Sequence, residues 1–165
     1  MTTEIWDAYL ADGTLADLKL TRGEPIPDGY YHLVVEAMVC HEDGSLLFVK
    51  RAACRASFPN YWEFSCGGSA LAGEMAEQAI KREVLEETGL SLDKLSLYNT
   101  YFDDRYHCYF HIFQAMTTND KKAVQLQIEE TADYRWVSPS ELPLFIENHL
   151  LIPSQKAAIT ELFLH

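Results

Sequence analysis

What the chain does not contain narrows its function first. No apolar run approaches the ~20 residues needed to span a bilayer, so no transmembrane helix is expected. The opening residues, MTTEIWDAYL, lack a basic segment followed by an apolar one. No secretory signal is therefore expected, and a cytoplasmic location is. The four cysteines, Cys40, Cys54, Cys66 and Cys108, form no CxxC pair and join no histidine at zinc spacing, which argues against a structural zinc site. Positive charge is scarce: 13 Lys and Arg stand against 25 Asp and Glu, a formal net charge of −12. A field of that sign repels nucleic-acid backbones and anionic membranes, so neither is an expected partner. It would also repel a small phosphorylated molecule unless positive charge were concentrated at the binding site. A bound divalent cation meets that need. Internal repeats and low-complexity tracts are absent as well.

What is present is a chain of 165 residues, 48% of them hydrophobic, enough for one folded domain spanning residues 1–165. Tyr31–Cys40 (YHLVVEAMVC) reads as a strand. A turn at His41–Ser45 and a second strand at Leu46–Lys50 complete a hairpin. A short strand at Trp62–Ser65 is expected to stop at Gly67 and Gly68, and Glu4–Leu10 reads as an added edge strand. A helix is predicted over Met75–Thr88, ended by Gly89 in the left-handed position that follows many helices. Strands follow at Leu95–Tyr101, Tyr106–Ala115 and Tyr134–Val137. Ser138 or Ser140 is placed to cap a short helix through Glu147, and Pro153 opens a last helix over Ser154–Leu164. Strands and helices mixed without strict βαβ alternation point to an α/β sandwich with a mixed sheet.

The helix over Met75–Thr88 is unusually acidic. Its apolar stripe begins at Ala76, Ala79 and Ile80, and the same spacing carries it to Glu83 and Glu87, with Glu86 beside them. Like charges at i, i+4 cost roughly 0.2–0.5 kcal/mol on an exposed helix and far more when partly buried. Arg82 reaches Glu86 at i+4 but cannot neutralise three acids. A hard divalent cation can, and carboxylate oxygens are the ligands that Mg²⁺ and Mn²⁺ prefer. The plain alternative is a solvated acidic face. Ahead of the helix, Gly67 and Gly68 let the backbone approach a ligand closely, and Glu74 suits the helix start.

Read together, Gly68–Leu90 is GSALAGEMAEQAIKREVLEETGL. This resembles a complete Nudix box, with Gly68, Glu74, Arg82, Glu83, Val84, Glu86, Glu87, Gly89 and Leu90 at its fixed positions. The resemblance implies the Nudix fold, an α/β/α sandwich with a mixed β-sheet and the box as loop–helix–loop. It also implies hydrolysis of a diphosphate linkage in a nucleoside diphosphate derivative or similar small anionic substrate. Glu83, Glu86, Glu87 and Arg82 then belong to the catalytic machinery. The three glutamates would bind Mg²⁺ or Mn²⁺, assisted by the Gly68 carbonyl, while Arg82 and Glu74 orient them. The general base varies within that family, and Glu83, Glu129 and Glu130 are its candidates here.

The flanks, Tyr31-His32-Leu33, Val49-Lys50-Arg51, Phe58–Trp62 and Cys66-Gly67, look like the isopentenyl-diphosphate isomerase branch of the same fold. In that likeness Cys66 matches a catalytic cysteine, His32 a metal ligand, and Arg51 and Arg55 diphosphate binders, a role suited to the bidentate guanidinium. The chain departs from the branch at Gly68, where the isomerase has His, and around Tyr106–Cys108, where it has a catalytic glutamate. Cys66 is therefore expected to be inert and His32 a core residue. Three activities stay in play: a diphosphate hydrolase first, an isomerase of a prenyl diphosphate second, and a non-catalytic ligand-binding domain third. The sequence is compatible with a homodimer.

Overall fold

The computed structural model describes residues 2–164, with the backbone alone for Ser65. Chain order is β1 (Ile5–Tyr9), β2 (Leu15–Thr21), β3 (Tyr31–His41), β4 (Leu46–Arg51), β5 (Trp62–Glu63), β6 (Ser65–Ser69), α1 (Ala76–Thr88), β7 (Lys94–Asp103), β8 (Cys108–Thr117), β9 (Thr131–Val137), α2 (Leu142–Asn148) and α3 (Pro153–Phe163). The pivot is β3, whose apolar sequence is buried from both faces, as a central strand requires. On one edge β8 runs parallel to it, in register from His32↔Cys108 to His41↔Thr117. Its other edge is shared by three antiparallel segments: β1 at Tyr31 and His32, β6 from Val34 to Met38, and β4 at Cys40. The hairpin of β3 and β4 closes through His41–Ser45, where the His41 N–H donates to the Ser45 carbonyl at 2.8 Å. Beyond that turn the two strands part, and β5 and β6 occupy the gap, pairing first with β4 and then with β3.

Alternation along the strands sorts side chains into two cores. Val35, Ala37, Val39, Leu47 and Val49 face Ala79, Ile80 and Val84 of α1. Met38, Leu46, Phe48 and Val137 face Leu142, Phe145 and Ile146 of α2 and Ile159 of α3. The result is the expected three-layer arrangement, a mixed sheet with helices on both faces. Each fully buried aliphatic side chain contributes roughly 1.5–3 kcal/mol.

Four local expectations change. The N-terminal strand is no edge: β1 lies between β3 and β2, and β2, read from the sequence as no element, forms the border. Its burial explains the omission, since Leu20 alone of Leu15–Thr21 is fully buried. The strand at Trp62 ends after Glu63 and resumes at Ser65, with Gly67 and Gly68 inside β6 rather than stopping it. A methyl group on Gly67 would lie 1.9 Å from the Val35 carbonyl oxygen, so only glycine lets the two strands come this close. The strand expected from Tyr106 begins at Cys108, because His107 turns the chain with φ of 51°. Neither Ser138 nor Ser140 caps α2. Ser138 donates its N–H and hydroxyl to the Glu141 carboxylate at 3.0 and 2.9 Å, which closes the turn before the helix instead.

Candidate active site

Helix α1 starts where the Gln78 side chain accepts the Met75 N–H at 2.9 Å. It ends at Gly89, whose φ of 74° lets its N–H reach the Leu85 carbonyl at 2.8 Å. Its core-facing line is Ala79, Ile80, Val84 and Thr88, all buried. Glu83 and Glu87 were placed on that line from the spacing; they flank it instead, half-buried, one residue before Val84 and Thr88. At 100° per residue a stripe that begins on Ala79 and Ile80 continues as readily through Val84 as through Glu83. Leu85 points outward, as expected.

One guanidinium organises the acids. Arg82 grips Glu74 through Nε and Nη2, both at 2.9 Å, and its Nη2 also donates to the Ser69 carbonyl at 3.2 Å. Its Nη1 donates to Glu83 at 2.8 Å and Glu86 at 3.3 Å. Glu74 in turn accepts the Leu71 N–H at 2.7 Å, so the loop and the helix are tied together. Arg82 holds the Glu74 carboxyl below its ordinary range. Arg82, grouped with the catalytic residues from the sequence, thus stands behind the carboxylates as their brace.

Glu83 lies against Gly68: a methyl group on that glycine would sit 2.7 Å from the Glu83 carboxyl carbon. Glu87 accepts the Gly67 N–H at 3.1 Å. Burial, then the charge of Glu83, pushes the Glu87 carboxyl up to about 8, with Glu130 and Glu63 adding to the rise. Glu83 is raised too, by burial first and against the pull of Arg82. Glu86 stays outside, half exposed on Arg82. Among the described residues no three acids, histidines or cysteines stand close enough to hold an ion as they are placed.

A cleft of about 660 Å³, open mouth included, lies beside Glu87, Gly67 and Gly68. Arg51 and Arg55 line it, and so do Glu63 and Glu130. Arg51 is only 11% exposed in its side chain; it donates to Glu63 at 3.3 Å and to the Ser57 carbonyl at 3.0 Å. Arg55 pairs with Glu130 at 3.6 Å. Of the two loop acids only Glu130 lines this cleft, whereas Glu129 lies in an adjoining shallow depression beside the Cys54–Ser57 loop. Two further acids, Glu36 and Glu63, were missed in the sequence. Their signal was a single carboxylate inside an apolar run, YHLVVEAMVC and WEF. Burial raises both, Glu36 to about 7.

His32 lies elsewhere, buried under Trp6 at 4.1 Å between ring centroids, with Nε2 3.2 Å from the Cys108 sulfur. Burial pulls its pKa down to about 4, which suits a core residue. Cys66 does line the cleft, but burial and the charges of Glu87, Glu63 and Glu36 push its thiol well above the ordinary range. Such a thiol is a poor acid–base group. Cys66→Ala is expected to leave turnover on a cleavable diphosphate almost unchanged and to cost ~1 kcal/mol or less of stability. A collapse of turnover in a folded variant, measured beside wild type, would give the thiol a catalytic role.

The NUDIX domain model matches residues 30–162. The chain belongs to the NUDIX family. An uncharacterized Nudix hydrolase of Listeria monocytogenes is 35% identical over 153 residues, covering 91% of this chain and 89% of that protein. The nucleoside triphosphatase NudI of Escherichia coli is 34% identical over 113 residues, 61% of this chain and 77% of its own length. Among solved structures, a Deinococcus radiodurans protein aligns over 96% of this chain and 98% of its own with a TM-score of 0.70 at 18% identity. The NUDIX domain of Shewanella oneidensis NrtR, solved with ADP-ribose, aligns over 79% and 85% with a TM-score of 0.61 at 20% identity. This Nudix protein is thus a hydrolase of phosphoanhydride bonds by family. No helix among its described residues is long and apolar enough to cross a membrane.

Proposed function

We propose that this Nudix hydrolase cleaves a diphosphate linkage in a nucleoside di- or triphosphate or a derivative of one, with Mg²⁺ or Mn²⁺ held by Glu83, Glu86, Glu87 and the Gly68 carbonyl. The observation that carries this reading is the excess of acid at one wall of the cleft. Glu87 lines the cleft with Glu36, Glu63 and Glu130, against Arg51 and Arg55, and Glu83 lies beside it against Gly68. An all-oxygen donor set fits a hard cation. When bound, such an ion would neutralise diphosphate oxygens and stabilise charge developing at phosphorus.

The chain's own residues supply the rest. Arg51 and Arg55 face the same cleft and bind the phosphate oxygens, exchanging their present carboxylate partners for the substrate. Glu130, freed from Arg55, takes the proton of the attacking water; of the base candidates it is the one that lines the cleft from the opposite loop. The Gly67 N–H keeps Glu87 aimed at the box loop. The likeness to a nucleoside triphosphatase supports a nucleotide as substrate. All four cysteines are free, in keeping with a reducing, cytoplasmic setting.

A panel of nucleoside triphosphates, nucleotide sugars and prenyl diphosphates is expected to give Mg²⁺-dependent release of phosphate or pyrophosphate, read by product mass. Exhaustive chelation should abolish it. Undiminished turnover in chelator would remove the metal from the mechanism. Isopentenyl diphosphate converted to dimethylallyl diphosphate, read by proton NMR, would favour the isomerase instead.

A further inference from the structure

A second cleft, about 1070 Å³ with its open mouth, lies between α3 and strands β3, β7 and β8. Met38, Phe64 and Ile112 form its apolar side, and Tyr98 and Tyr101 line it as well, Tyr101 with one ring face stacked on Phe110. Three features decide what it takes. First, among the described residues Glu36 is the one that lines both this cleft and the catalytic one. A molecule with its phosphates beside Arg51 and its organic group beside Tyr98 would run alongside Glu36. Second, Glu36 has no hydrogen-bond or ion-pair partner among the described residues, and the charge acting on it is the like charge of Glu63. The acceptor oxygens of Glu36 are therefore open to a donor that a ligand in either cleft brings. Third, the clefts differ in sign. The catalytic cleft carries Arg51 and Arg55. Among the described residues the second has no Lys, Arg or His in its lining, and it adds Glu161, whose carboxylate faces the Tyr98 hydroxyl. Phosphate belongs in the first, and a neutral ring rich in donors belongs in the second.

We propose that Glu36 is the specificity-determining residue of this hydrolase, selecting substrates whose organic group is a planar nitrogen heterocycle with an exocyclic amino group, bound in the second cleft with Glu161 as a further acceptor. The inference rests on the phosphoanhydride reading above for the placement of the phosphates. It does not rest on ionisation, because Glu36 keeps an acceptor oxygen whether or not it is protonated. Tyr98 and Tyr101 supply the flat surface against which such a ring packs. A ring that offers only carbonyl oxygens there brings neither Glu36 nor Glu161 the donor that an amino group supplies, and it binds more weakly.

Calorimetric binding of GMP against IMP, and of CMP against UMP, to the full chain with Mg²⁺ tests this. Guanine and hypoxanthine differ by one amino group. The amino-bearing member of each pair is expected to bind at least ~10-fold tighter, a difference of about 1.4 kcal/mol. Glu36→Met, similar in length and compatible with an apolar strand, should bring each pair to within ~3-fold. Ala158→Phe, on the α3 wall of the second cleft, should weaken all four nucleotides while leaving pyrophosphate binding unaltered. Equal affinities within both pairs, an intact preference in Glu36→Met, or nucleotide binding indifferent to Ala158→Phe would each overturn the proposal. Failure of the hydrolase reading looks different: pyrophosphate fails to bind with Mg²⁺ and no panel substrate is cleaved, while the paired nucleotides still discriminate.

Discussion

Glu87→Gln is expected to slow turnover on the order of 100-fold or more while raising the melting temperature of the metal-free protein. The amide keeps the shape of the side chain and can still accept the Gly67 N–H, so the helix and loop should hold. What it loses is the charge that a cation needs. The stability effect has a definite sign. In the folded, metal-free protein burial and Glu83 raise the Glu87 pKa from the ordinary carboxylate range to about 8. Between those two values the folded state binds more proton than the unfolded one, so stability falls as pH rises. Glu87 thus favours folding at low pH relative to its effect at high pH, and that support is lost as pH climbs through about 8. The Gln variant escapes this loss, so its gain in melting temperature over wild type should widen toward alkaline pH in chelator and shrink in saturating Mg²⁺. Turnover near the wild-type rate at limiting Mg²⁺ would strike Glu87 from the ligand set.

Gly67→Ala and Gly68→Ala should fail in different ways. The Gly67 methyl group would strike backbone: 1.9 Å from the Val35 carbonyl oxygen and 2.8 Å from the Glu36 Cα. Backbone pinned between β6 and β8 cannot step aside, and an overpacked interior typically costs 1–3 kcal/mol or more. About 3 kcal/mol corresponds to a fall in Tm of roughly 6–12 °C for a chain of this size. The atoms nearest the Gly68 methyl group are those of the Glu83 carboxylate, from 2.7 Å. A side chain can swing away, so Gly68→Ala should keep most of its stability and lose activity through a displaced Glu83. Thermal melts and rates on both variants check the pair. Equal loss of stability in the two would show that Glu83 is as fixed as the backbone of β3.

Legibility in the sequence followed burial. The β3–β4 hairpin and α1 were readable because a buried strand and a one-sided helix leave strong hydrophobic periods. Strand β2 was silent because its residues mostly face solvent, and the register of β6 was hidden because glycine carries no hydrophobic signal. At the site, the box acids announced themselves by fixed spacing within one helix. Glu36 and Glu63 did not, since each is a lone acid on a different strand and only the sheet brings them to one cleft. The spacing also put Glu83 and Glu87 too far into the core by one residue, because a 3.6-residue repeat admits both neighbours of an i+4 step.

The crowded edges of β3 also say something about how the protein is made. Its ten parallel pairs are with β8, more than seventy residues later in the chain. A growing polypeptide that has not yet reached Cys108 presents an apolar strand with one whole side unpaired, the kind of edge that recruits other chains. Closing so long a loop also delays the step that completes the sheet. The interval between the synthesis of His41 and that of Thr117 is therefore when this chain is most open to aggregation, although the box helix, complete by Thr88, has been made well before it ends.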